Sequence, residues 1–166
     1  MSSVATIKSN IIPPHLEVKG GRPLSGVLKV SGAKNSSLAL MAASLLTKEK
    51  LLIKNVPQLT DIEVMSEILR NLGAKLTKTN NSIEINSESI HNVELPYQLV
   101  HSLRASFFCV GPLLTRLGEA KIPLPGGCNI GARPVDEHIN GLKALGAEVE
   151  VINDVVKAQV STKDKR

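Results

Sequence analysis

The chain has 166 residues, of which 42% are hydrophobic, and a formal net charge of +5. This fits one globular domain, or a large piece of one, and excludes an intrinsically disordered chain. With no Trp, one Tyr and two Phe, the core has to be aliphatic, and base stacking of the kind that single-strand binders use is poorly provided for. Lys and Arg are dispersed, so the charge does not point to a nucleic-acid partner; the densest basic stretch, Lys163-Asp164-Lys165-Arg166, reads as a solvated tail. No apolar run approaches the roughly 20 residues of a membrane span, and no secretory signal precedes Cys109 and Cys128, whose unlike surroundings argue against a disulfide framework. The expectation is a soluble cytoplasmic protein without a membrane partner.

Residues 1–15 mix small, polar and proline residues without period and read as a flexible leader, with the folded domain over 16–166. Val27, Leu28 and Val30 predict a short strand, Ser31-Gly32 a turn, and Leu38, Met41, Ala42 and Leu45 one face of a helix. Leu51 to Val56 reads as a strand. Thr60 with Glu63 fits a capping box, Ile62, Met65, Ile68, Leu69 and Leu72 repeat at helical spacing, and Gly73 supplies the stop. Lys75–Thr79 and Ser82–Asn86 then flank Asn80-Asn81, a pair that tolerates positive φ and suits a hairpin.

A similar unit follows. Pro96 opens a helix through Arg104 and Phe108, bent or broken at Gly111-Pro112, and Lys121 to Leu124 is strand-like. A helix from Pro134 to Leu145 ends in Leu145-Gly146-Ala147, echoing Leu72-Gly73-Ala74, and a second hairpin turns at Asn153-Asp154. The recurrence of helix, Leu-Gly-Ala, strand, turn and strand suggests repeated α/β units.

Three segments carry chemistry. In Pro125-Gly126-Gly127-Cys128-Asn129-Ile130-Gly131-Ala132-Arg133-Pro134-Val135-Asp136 a glycine-rich loop leads into a helix. Free N–H groups and a partial positive charge at a helix start favour both phosphate and thiolate, and Arg133 adds a planar donor fork. Taken alone, the loop fits a glycine turn with an inert cysteine better than it fits a reactive one. Ser31-Gly32-Ala33-Lys34-Asn35-Ser36-Ser37 likewise places an ammonium between a strand and a helix start, without the spacing of a Walker A loop; a surface lysine beside an ordinary helix start fits it too. In Leu103-Arg104-Ala105-Ser106, a charge inside an apolar stretch needs solvent, an acidic partner or a ligand.

In this order, Ser-Gly-Ala-Lys-Asn, Arg-Ala-Ser and Pro-Gly-Gly-Cys-x-Ile-Gly-Ala-Arg-Pro-Val-Asp-x-His closely resemble the UDP-N-acetylglucosamine 1-carboxyvinyltransferase family, from about Leu16 onward. The Cys128 loop is the most specific part, because the related shikimate-phosphate enolpyruvyl transferases lack it. The resemblance implies an α/β (α+β) fold: repeated α/β units of an inside-out α/β barrel, helices inside and sheets outside, incomplete in this chain, with the end of the first domain and the whole second domain missing.

It also implies transfer of the enolpyruvyl group of phosphoenolpyruvate to the 3-hydroxyl of UDP-N-acetylglucosamine, with no metal or organic cofactor. Carried over by residue, Cys128 is the catalytic acid; Lys34, Asn35 and Arg133 bind phosphoenolpyruvate; Arg104, Arg133, Pro134, Val135, Asp136 and Glu137 bind the nucleotide sugar. Protonating an enol carbon requires a positioned acid and fixed cations, and these residues are of those types. His15, His91, His101 and His138 are isolated and read as surface or core residues. A catalytically inactive fragment or binding module of the same fold is the alternative.

Overall fold

A computed structural model describes residues 16–125 and 134–160. The expected leader, the loop holding Cys128, Asn129 and Arg133, and the basic tail lie outside the described residues. The elements in chain order are α1 (Lys34–Ala43), β1 (Lys50–Lys54), α2 (Thr60–Asn71), β2 (Lys75–Thr79), β3 (Ser82–Asn86), α3 (Tyr97–Ser102), α4 (Val110–Leu117), β4 (Glu119–Pro123), α5 (Asp136–Ala144), β5 (Ala147–Ile152) and β6 (Val155–Val160). Short 3-10 helices at Ser44–Leu46 and Arg104–Cys109 run on from α1 and into α4.

The two units have one topology. Each contains a strand, a helix and a hairpin, and the hairpin's second strand inserts between the other two, giving sheet orders β1-β3-β2 and β4-β6-β5. All pairings within these sheets are antiparallel, with Leu51 opposite Ile85 and Ile53 opposite Ile83 in one sheet, and Ala120 opposite Ala158 and Ile122 opposite Val156 in the other. An extended segment at Val93–Leu95 adds a parallel bridge to the outer side of β4. One face of each sheet lies on the helices: α1 and α2 touch β1 and β2, α4 touches β4 and β6, and α5 touches β5, while α1 packs on α2 and α2 on α3.

The helical periods read from sequence match the buried faces. Leu38, Met41, Ala42 and Leu45 are buried, as are Ile62, Met65, Ile68, Leu69 and Leu72, and they join the strand residues Ile53, Ile83 and Ile85 in a continuous aliphatic core. At the end of α2 the Gly73 N–H donates to Arg70 O (2.9 Å) and the Ala74 N–H to Leu69 O (3.0 Å), a Schellman closure that requires the positive φ of Gly73, 102°. Gly146 closes α5 with φ 92° and a 2.9 Å bond to Lys143 O.

Four local expectations are corrected. Val27, Leu28 and Val30 form no strand: they are 103%, 87% and 77% exposed, and among the described residues no strand pairs with them. High strand propensity without a ladder partner does not make a strand. The capping box is not formed, because Leu59 is the N-cap and Thr60 already lies in the helix, while the Glu63 carboxylate is drawn to Lys78 of β2.

The third helix breaks at Leu103, which is extended (φ −138°, ψ 100°), and not at Gly111-Pro112. Pro112 falls in the first turn of α4, where it removes no helical hydrogen bond. Finally, Asn80 and Asn81 turn the first hairpin without positive φ, whereas Asn153 (51°) and Asp154 (60°) both use it. The carbonyls of Asn80 and Asn81 accept from Gln58 Nε2 and the Val56 N–H, each at 2.8 Å, which anchors that turn to the chain entering α2.

One arginine ties the units together. Arg116 of α4 brings Nη1 within 3.0 Å of Leu45 O and Thr47 O and 2.8 Å of Ser87 O, so a half-buried charge is met by three carbonyls from the first unit.

The two helix stops give a matched test. A Cβ on Gly73 would collide with His91 and with Ser89 O, while one on Gly146 would meet nothing within 4 Å. Both alanine substitutions cost about 1 kcal/mol from positive φ, and Gly73→Ala costs more through the collision. Urea unfolding should therefore give the lower midpoint for Gly73→Ala; equal midpoints would show that the packing against His91 contributes nothing.

Candidate functional site

The first element of the site is the start of α1. A Cβ on Gly32 would collide with the carbonyl oxygen of Asn55, so the Ser31–Ala33 backbone lies directly against the chain leaving β1. Asn55 is itself in the left-handed region, with φ 57°. Glycine at position 32 is what lets the two backbones approach, and this contact sets where α1 begins. Ala33 O then accepts both the Ser37 N–H (3.1 Å) and Ser37 Oγ (3.0 Å).

The second element is the 3-10 helix at Arg104–Cys109. Arg104, its first residue, sends Nη2 to the carbonyl of Pro134 at 3.1 Å. Pro134 and Val135 lead directly into α5, so the guanidinium ties the 3-10 helix to the start of α5. The apolar setting of Arg104 is thereby explained: its charge meets a backbone carbonyl and an open cavity, and among the described residues it forms no ion pair.

Between these elements lies a cavity of about 340 Å³. Its polar lining is Asn35, Arg104 and His138; its apolar lining includes Leu38, Phe107, Phe108 and Val135. Both phenylalanines of the chain therefore stand at this one place. Neither α1 nor α5 has a side chain capping its start, where the N-cap residues are Ala33 and Val135. First-turn amides and the positive ends of two helix dipoles thus border the cavity, an arrangement that favours an anion. The start of α2 is linked to it by an ion pair from Lys34 Nζ to Asp61 Oδ2, 2.7 Å.

The structure therefore brings Asn35, Arg104 and Val135 of the expected site residues to one cavity, with Pro134 held at its edge. Lys34, the neighbour of Asn35, is paired with Asp61 and is not part of the cavity lining. Asp136 and Glu137 are exposed in the first turn of α5, outside that lining. Cys128 and Arg133 lie outside the described residues.

His138 was missed as a site residue. It is exposed, as the surface reading has it, and it also lines the cavity, with its ring edge-on to Phe107 (centroids 5.5 Å apart, planes at 84°). The signal was present in the Asp-x-His of the loop motif, since a residue one turn into a helix points back toward that helix's start.

Cys109 has a different character. It is fully buried and free, and burial pushes its thiol up to about 12. Cys109 therefore stays protonated at pH 8, which makes it inert. Iodoacetamide at pH 8 should leave Cys109 unmodified until urea unfolds the chain, as read by peptide mass spectrometry; labelling at the rate of a free thiol in the folded protein would contradict its burial.

This α/β architecture is that of solved enolpyruvyl transferases. The enolpyruvyl transferase NikO from Streptomyces tendae superposes with a TM-score of 0.71 at 23% identity, covering 86% of this chain and 31% of that one. The EPSP synthase from Acinetobacter baumannii gives a TM-score of 0.50 at 17% identity, covering 76% of this chain and 31% of that one.

A sequence profile of the EPSP synthase (3-phosphoshikimate 1-carboxyvinyltransferase) family matches residues 18–166, and the chain belongs to that family. Over all 166 residues it is 96% identical to the UDP-N-acetylglucosamine 1-carboxyvinyltransferase of Prochlorococcus marinus strain NATL2A, and equally to that of strain NATL1A. The protein of the same name from strain MIT 9301 is 59% identical over 153 residues. The chain spans 36% of the length of the first two relatives.

Proposed function

We propose that the chain is part of a UDP-N-acetylglucosamine 1-carboxyvinyltransferase, which moves the enolpyruvyl group of phosphoenolpyruvate to the 3-hydroxyl of the nucleotide sugar and releases phosphate. What carries this reading is the 96% identity over the whole chain to two relatives of that name. The meeting of Asn35, Arg104 and Val135 at one cavity supports it. In this reading the protein acts in the cytoplasm, at the first committed step of peptidoglycan synthesis, and so contributes to cell-wall growth, cell shape and division.

The chemistry follows from the residue types. Cys128 gives a proton to the methylene carbon of phosphoenolpyruvate while the sugar 3-hydroxyl oxygen bonds to the adjacent carbon, and the hydroxyl proton passes to an acidic side chain of the full-length protein. The adduct then loses a methyl proton as its carbon–oxygen bond to phosphate breaks, restoring the double bond. Positive character at the central carbon is tolerated because Lys34 and Arg133 hold the carboxylate and phosphate, and Asn35 orients them. Arg104, Pro134, Val135, Asp136 and Glu137 meet the nucleotide sugar. Arg104 is suited to this by its position, with one nitrogen on Pro134 O and a planar fork still facing the cavity.

The test is made with this sequence in the full-length relative. Cys128→Ser should nearly abolish turnover, whereas Cys128→Asp, a competent proton donor, should keep part of it. The epoxide fosfomycin should alkylate Cys128 and spare buried Cys109. Full activity of the Ser variant would remove Cys128 from the mechanism.

A further inference from the structure

Lys34 is the first residue of α1, where the helix dipole disfavours a cation, and its long flexible side chain has many rotamers to choose from. Something must hold it. Among the described residues its ion-pair partner is Asp61, with Nζ 2.7 Å from Oδ2. Asp61 is the second residue of α2, where a carboxylate is favoured, and the residues that follow it, Ile62 and Met65, are buried in the core at 2% and 0% exposure. The carboxylate is therefore carried on a rigid element, and the ammonium is the mobile member of the pair.

We propose that Asp61 is a positioning residue: it holds the Lys34 ammonium beside Asn35 so that the cation is in place when the anionic substrate arrives. This rests on the reading that Lys34 meets phosphoenolpyruvate. Both side chains are about two-fifths exposed, at 46% and 36%, so the pair adds little to stability. What it fixes is direction. An ammonium has three N–H donors; one directed at Asp61 leaves two for a phosphate or carboxylate. Asn35, the next residue on α1, lines the cavity, and Lys34 is held beside it at the same helix start.

The experiment places the sequence in the full-length relative and compares Asp61→Asn, Asp61→Glu, Lys34→Ala and the double variant Lys34→Ala/Asp61→Asn by phosphate release. Asp61→Asn keeps the shape and removes the charge. It should lower kcat/KM for phosphoenolpyruvate about ten- to a hundredfold, with KM for the nucleotide sugar and the melting temperature close to those of the parent. Asp61→Glu should recover part of the loss. If Asp61 acts through Lys34, the double variant should be no worse than Lys34→Ala alone.

Asp61→Asn indistinguishable from the parent, beside an impaired Lys34→Ala, would overturn this inference and leave the function standing. A further loss in the double variant would also overturn it, by showing that Asp61 acts apart from Lys34. An unimpaired Lys34→Ala would overturn the role of Lys34 itself.

Discussion

Three helix starts meet at one edge of this molecule because three short links hold them there. Gly32 lies against the Asn55 carbonyl and fixes where α1 begins; Lys34 and Asp61 join α1 to α2; Arg104 joins the 3-10 helix to Pro134 at the start of α5. Each link joins segments remote in sequence, and together they define a cavity bordered by helix N-termini. A side chain at position 32 would collide with the Asn55 carbonyl, so the start of α1 would have to shift, and Asn35 with it. Position-dependent chemistry tolerates little of such displacement.

The rest of the fold serves as a rigid support. Two sheets of identical strand order cover the helices, and the core between them is built almost entirely from Leu, Ile, Val, Met and Ala. Arg116 crosses from α4 to three carbonyls of the first unit, so the two units share polar as well as apolar contacts. Among the buried serines, Ser44, Ser66 and Ser106 turn their hydroxyls back onto carbonyls three or four residues earlier, whereas Ser87 Oγ has no partner among the described residues.

Periodicity made much of this legible in advance. The apolar stripes of α1 and α2 and the duplicated Leu-Gly-Ala stop were readable because each depends on near neighbours in sequence. The misreadings share one cause, which is that the deciding partner is remote. Val27 to Val30 lack a strand to pair with; Glu63 is claimed by Lys78, fifteen residues on; the helix after Pro96 breaks at Leu103, where Arg104 turns toward Pro134, thirty residues away. The place of His138 is hidden for the same reason, since only the fold sets it beside Phe107 and in one cavity with Asn35. Of the motif residues, Asn35, Arg104 and Val135 converge; Lys34 stands beside them on Asp61.

On the proposed function, the cavity bordered by α1, the Arg104 helix and α5 receives both anionic substrates, phosphoenolpyruvate at the start of α1 and the nucleotide sugar at Arg104 and the start of α5. Hydrogen–deuterium exchange of the full-length Cys128→Ser protein, with and without UDP-N-acetylglucosamine and phosphoenolpyruvate together, tests it most directly. Added ligand should slow exchange over residues 34–39, 104–108 and 134–138 and leave the hairpin tips at Asn80 and Asn153 unchanged. Slowing at the hairpin tips, with no change at the three helix starts, would contradict the account.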